Sequence, residues 1–187
     1  MKRTGAMSPK STYRDWLKQD FGALIDALDL DDLRRHFLRS RWLDQVLWME
    51  GRADHARRWY YGLRLVTIVG AVIIPALVSL TVSGPALVVV RWVTFGLSLA
   101  VAISSAVEEF FHYGDRWRHY RQNAELLKIE GWRFFQLSGP YSRRDTHADA
   151  YPKFAARVEE VIQRDVQVYI SEIVGETEEK KEAAEQK

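Results

Sequence analysis

Residues 62–107 read GLRLVTIVGAVIIPALVSLTVSGPALVVVRWVTFGLSLAVAISSAV, and only Arg64 and Arg91 among them carry charge. From Leu65 to Val90 the chain is uncharged throughout. An apolar run of roughly eighteen residues or more is long enough to cross the hydrocarbon of a bilayer. Ser83-Gly84-Pro85 interrupts this run with turn chemistry, and proline suits the first turn of a new helix. The pattern predicts two helices, over 62–82 and 85–107. At about 1.5 Å per residue each spans about 30 Å, one hydrocarbon thickness. The expected fold is an all-α membrane protein, a two-transmembrane hairpin with long cytoplasmic helical extensions forming a bundle. A single span over 65–90 is the competing reading. It leaves Trp92–Val107, a stretch without charge, to be housed in water.

Whole-chain averages conceal this. The 187 residues are 47% hydrophobic and 28% charged, as in a soluble protein. The charges are segregated, however: residues 1–61 hold 12 Lys/Arg and 9 Asp/Glu, while 62–107 hold no acid at all. A net charge of +2 argues against a chain built to coat nucleic acid. The absence of cysteine excludes disulfides and Cys-ligated metal centres.

Arginine placement orients the hairpin. Arg52, Arg57, Arg58 and Arg64 precede the first span, Arg116, Arg118 and Arg121 follow the second, and the turn between is uncharged. The positive-inside rule puts both termini in the cytoplasm. Arg57, Arg58 and Arg64 are candidates for lipid-headgroup contact. Trp59, Tyr60, Tyr61, Phe110, Phe111, Tyr113 and Trp117 are candidates for an aromatic belt.

Outside the hairpin the hydrophobic spacing is helical. Residues 1–32 read as a polar tail and a short amphipathic helix, with Trp16, Leu17, Phe21, Leu24, Ile25 and Leu28 on its apolar face. Asp29, Asp31 and Asp32 favour a helix start, and a helix over 33–61 leads to the membrane. After the second span, Phe110, Tyr113, Trp117, Tyr120, Ala124, Leu127, Gly131 and Phe134 recur at steps of three and four, a heptad seam. It fits either a bundle within one subunit or a contact between subunits. A further helix over 151–174 presents Phe154, Val158, Val161, Ile162, Val166 and Tyr169/Ile170. Residues 108–174 thus form cytoplasmic helices, and 175–187 read as a disordered charged tail. The basic cluster Arg34, Arg35, Arg39 and Arg41 is either a solvated face or a further contact for anionic lipid.

Three blocks carry a family resemblance: RWLDQVLWMEGRADHARRWYYGLRLVTIVGAVIIPAL (41–77), YRQNAELLKIEGWRFFQLSGPY (120–141) and FAARVEEVIQRDVQVYI (154–170). Together they resemble domain-of-unknown-function family 4231, in the SLATT group of bacterial two-transmembrane proteins. The resemblance covers about residues 35–172. It implies a bacterial inner-membrane protein, a pore-forming role, and association with nucleotide-signalling or ligand-sensing proteins. It implies no catalytic residue.

The second predicted span carries a polar stripe. Arg91, Thr94, Ser98, Ala102, Ser105, Glu108, Glu109 and His112 lie close to one helical face. Lipid penalises polar groups, so such a stripe should meet protein or water. One reading makes it the lining of a pore in a homo-oligomer, with permeant ions passing Arg91 at one mouth and Glu108/Glu109 at the other. Should Arg91 snorkel to the headgroups, the carboxylates favour cations. The other reading has the hydroxyls bonded to their own helix. Gly96, Ala100 and Ser104 form a small-residue run suited to close helix packing, and Pro75 is expected to kink the first span.

Glu109 and His112 have the Glu-x-x-His spacing of carboxylate-bridged metal bundles, but one copy is insufficient. No metal, cofactor or enzymatic role is expected, for no phosphate loop, zinc-helix or nucleophile motif occurs. The expected partners are membrane lipids, other copies of the chain and permeant ions, with no nucleic acid. A non-conducting scaffold, anchored by the hairpin and holding a cytoplasmic signalling partner, is the rival function.

Overall fold

The computed structural model describes the backbone over residues 12–80 and 84–185, and the side chains up to residue 167. Expectations for residues 1–11, for the turn at Val82-Ser83 and for the side chains of Tyr169 and Ile170 lie outside the described residues. All regular structure among the described residues is helical: α1 (Tyr13–Ala27), α2 (Asp32–Phe37), α3 (Asp44–Ser79), α4 (Pro85–Phe111), α5 (Tyr113–Phe135) and α6 (His147–Glu185). A π-helical segment, Leu38–Leu43, joins α2 to α3, and a 3-10 turn, Gly139–Tyr141, precedes α6. Two helical stretches, Asp32–Ser79 and Pro85–Phe111, are long and apolar enough to cross a membrane. The chain divides into two units, residues 1–50 with 121–187 and residues 51–120.

In the first unit α1, the π-helical segment, α3, α5 and α6 each contribute an apolar stripe to a shared core. Leu17, Phe21 and Ile25 come from α1; Leu38, Trp42 and Leu43 from the π-helical segment; Val46 and Met49 from α3. Ala124, Leu127 and Phe134 come from α5, and Ala150, Phe154 and Val158 from α6. Phe134 stacks on Phe154 at 4.4 Å, and Trp42 lies within about 6 Å of Phe21, Phe135 and Phe154. The seam expected over 110–134 therefore serves the core of a single chain from Ala124 onward. Phe110 is not part of it, being 77% exposed.

The helix starts follow from local chemistry. The Asp31 carboxylate accepts from Arg34 N–H at 2.9 Å and caps α2. Asp149 N–H donates to Thr146 Oγ1 at 3.1 Å, and the Thr146 hydroxyl donates to the Asp149 carboxylate at 2.8 Å, an N-cap that starts α6 four residues before the expected Tyr151. Pro152 has no N–H for the Ala148 carbonyl, and Arg34 Nη1 donates to that oxygen instead at 3.2 Å. Helix α6 runs to Glu185, past residue 175, where the charged tail is expected to begin. Its Glu-, Lys- and Ala-rich composition has high helix propensity and opposite charges at helical spacing. Val166, expected on the buried side of α6, is 50% exposed.

In the second unit α3 and α4 share a narrow seam. Ala53, Ala56 and Gly70 are buried, and Tyr60, Leu63, Thr67, Ile74 and Leu77 are half-buried, at steps of three and four. On α4 the matching positions are Val90, Thr94, Leu97, Val101, Ser104 and Glu108. Such spacing is that of knobs-into-holes packing. Contacts pair the segments in opposite chain order: Tyr60 lies against Gly114 and Trp117, and Gly70 against Val101. A Cβ at Gly70 would overlap Val101. Close approach thus falls at Gly70, not at Gly96, which faces open space. Of the expected small-residue run only Ser104 is buried, with Ala100 half-covered. A run at i, i+4, i+8 drifts around the helix, whereas the seam alternates three and four.

Helix α4 does not continue unbroken into α5, as the heptad reading expects. His112 adopts the left-handed conformation (φ 49°, ψ 43°) and separates them.

Candidate functional site

Pro85 stands at the first turn of α4, where its missing N–H goes unneeded, and opens the helix that carries the polar stripe. The stripe divides in two. Thr94, Ser98 and Glu108 are half-buried along or beside the seam with α3. Thr94 Oγ1 donates to Val90 O at 2.8 Å, so its hydroxyl is satisfied by its own helix. Arg91, Ala102, Ser105, Glu109 and His112 are exposed. At about 100° per residue, Arg91, Ala102, Ser105 and Glu109 lie about a quarter turn from the seam. Trp92, Leu99, Ile103 and Phe110 occupy the far side, all at least half exposed. Pro75 sits within α3 and is exposed.

An aromatic collar joins α3 to the start of α5. Trp59 stacks on Tyr113 (5.9 Å, 15°), Tyr60 on Trp117 (6.2 Å, 22°), and Tyr61 packs on Trp117 at 5.7 Å. Arg57, Arg58 and Arg64 are exposed beside it. Arg118 pairs with Asp115 at 2.5 Å, and its guanidinium is held still more firmly protonated by that hydrogen bond.

The basic cluster of the first unit is used within the chain. Arg34 pairs with Asp31, and its guanidinium lies over the Tyr151 ring. Arg35 donates twice to Leu30 O, and Arg39 pairs with Asp26. Arg41 holds Glu159 in a two-point pair at 2.7 and 2.8 Å, and that hydrogen bonding keeps Glu159 below the usual carboxylate range. This is the distribution of a structural face, each arginine matched to a nearby acid or carbonyl.

Two buried ionic networks carry no motif in the sequence. Glu50, 1% exposed, accepts from Lys128 Nζ at 2.7 Å and from Arg121 Nη1 at 2.9 Å. Glu125 bridges the same two cations, each at 2.8 Å. In the second, Glu130 receives Arg157 Nε at 2.5 Å and the Tyr141 hydroxyl. Burial, and then the hydrogen bond to Glu130, push the Tyr141 hydroxyl far above its ordinary titration range. Every charge here has a partner, which suits structure rather than chemistry.

Two open clefts flank Ser40 and Asp44, one reaching Trp48 and the other Lys18, His36 and Arg39. The Ser40 hydroxyl donates to His36 O at 2.7 Å and so is bonded to its own helix. Among the described residues no three of His, Asp and Glu converge as a metal-ligand set.

A family model described as a protein of unknown function (DUF4231) matches residues 44–149. No curated protein and no solved structure matches the chain.

Proposed function

The chain belongs to the DUF4231 family, and from that premise we propose that it is an oligomeric integral membrane protein forming an ion-permeable pore. In this reading α4 and the apolar part of α3 cross a bacterial inner membrane as a hairpin, with both termini cytoplasmic. The aromatic collar and Arg57, Arg58 and Arg64 sit at the inner headgroups. The chain acts without catalysis, its cytoplasmic helices gate, and cations are favoured where Glu109 lines the inner mouth.

The supporting observation is the uncovered side of α4. Arg91, Ser105 and Glu109 remain exposed beside the seam, on a helix of which Ser104 alone among the described residues is buried within the chain. Lipid would leave them unsatisfied, whereas α4 faces gathered around an axis would enclose them with water. Two spans have too little polar surface to do this alone, so several copies are required.

Ion flux through the full chain in liposomes tests the proposal. Glu109→Gln is expected to lower the cation-to-anion permeability ratio several-fold. Glu108→Gln, beside the seam, is expected to change it less. Flux unaltered by Glu109→Gln removes that residue from the lining. Absence of flux across voltages and salts favours the rival scaffold. Leu126, Ile129 and Trp132, all exposed on α5, support that second reading. A scaffold keeps its partner when the hairpin is exchanged for an unrelated anchor.

A further inference from the structure

A single residue, His112, separates two long helices, and it is not glycine. The left-handed conformation disfavours any side chain, although histidine tolerates it better than most. Helical bonding closes on it from both sides. His112 N–H donates to Glu108 O at 2.9 Å, and Arg116 N–H donates to His112 O at 3.1 Å. No linker intervenes, so one pair of dihedrals decides whether α4 and α5 are two helices or one.

Contacts with α3 hold the left-handed state. Tyr113 stacks on Trp59, and Trp117 stacks on Tyr60. Gly114 is buried under the Tyr60 ring, where a Cβ would come within 2.9 Å of a ring carbon. The aromatic run 59–61 thus grips the start of α5 in the arrangement that the left-handed His112 sets. A sparsely populated backbone state persists where its surroundings over-determine it, and such places are often switches. The His112 side chain is exposed, with Nδ1 3.3 Å from Phe110 O.

We propose that His112 is a one-residue, two-state hinge. In its left-handed state α5 docks on Trp59-Tyr60-Tyr61. In its right-handed state α4 and α5 join into one helix and the aromatic contacts open. The hinge does not rest on conduction, because the His112 dihedrals and the aromatic contacts between α3 and α5 define it.

The chain has no cysteine, so two introduced ones report a single distance. Spin labels at Val93 and Arg118, in the full chain in lipid, would lie about 37 Å apart along one straight helix and several ångströms closer across the break. His112→Gly removes the left-handed penalty and weakens the helical alternative. It should raise the ratio of short to long distances about five- to tenfold. His112→Ala should move the ratio the other way, as should Gly114→Ala, which pushes the Tyr60 ring off α5. The substitutions at the exposed position 112 leave the buried packing untouched, and both lose the His112 Nδ1 contact with Phe110 O alike, so opposite shifts separate hinge from misfolding. One distance distribution common to the wild type, His112→Gly and His112→Ala would overturn the hinge. So would a shift of the two variants in the same direction.

Discussion

Glu50→Ala is expected to destabilise the chain by about 3 kcal/mol, measured by unfolding of the full-length protein. The carboxylate is 1% exposed and takes a charge-assisted bond from Lys128 and another from Arg121. Removing it leaves Lys128, whose side chain is 7% exposed, with Glu125 as its remaining acid. The loss is then dominated by a buried ammonium group left with one of its two acids, not by the bond energy of a surface pair. The double variant Glu50→Met with Lys128→Met should recover most of the stability, because matched apolar groups replace a buried pair at little net cost. If the single and double variants are equally unstable, the effect lies in lost packing and the ionic account fails.

The same networks set the alkaline limit. Burial alone would depress Lys128, but the hydrogen bonds that it donates to Glu125 and Glu50 together outweigh it and hold its pKa above the ordinary lysine value. Tyr141 is raised as well. A group whose folded pKa lies above its unfolded value contributes fully below the unfolded value and loses that contribution as pH rises toward the folded one. Stability should therefore hold at neutral pH and fall as pH passes about 10, the ordinary range of both residue types. Tyr141→Phe should flatten part of that alkaline fall. Glu159 acts in the opposite window, its contribution lost as pH drops below the ordinary glutamate range of about 4.

How much of this was legible in the sequence depends on the range of the interaction. The stripe at Leu17, Phe21 and Ile25, the Asp31 cap and Pro85 at a first turn are local, and periodicity or turn chemistry exposes them. The seam from Ala124 to Phe134 was legible as a stripe, but its partners in the same chain were not. The left-handed His112 left no glycine or proline to mark it. The π-helical turn at Leu38–Leu43 left no break in the apolar spacing. Glu50 and Lys128 are 78 residues apart, and each reads as an ordinary surface charge until the fold buries both. The polar stripe on α4 was visible as a face, yet its division was not. Spacing gives angles around one helix, whereas the coverage of Thr94 and Ser104 depends on where Gly70 lets α3 approach. Arg34 to Arg41 show the converse: clustered in sequence, they disperse to Asp31, Leu30, Asp26 and Glu159.

Gly131→Ala should show most sharply that packing, not helix propensity, governs the first unit. Gly131 lies within α5, where alanine would ordinarily stabilise by about 1 kcal/mol. Here a Cβ would overlap the ring of Trp42, which is fully buried and donates Nε1–H to Leu127 O at 2.9 Å. The ring cannot retreat without losing that bond or crowding Phe21, Phe135 and Phe154, so the substitution should destabilise by about 1–3 kcal/mol. Trp42→Ala should cost more, about 3–5 kcal/mol, since it empties a large cavity and removes the Nε1–H donor from Leu127 O. The two changes touch one another and should not add. In the Trp42→Ala background the vacated space accepts the new methyl, and Gly131→Ala should turn neutral or stabilising. A sign reversal between the two backgrounds, read from unfolding midpoints, identifies the Trp42–Gly131 contact as the packing constraint. The same destabilisation in both would place the cost elsewhere in α5.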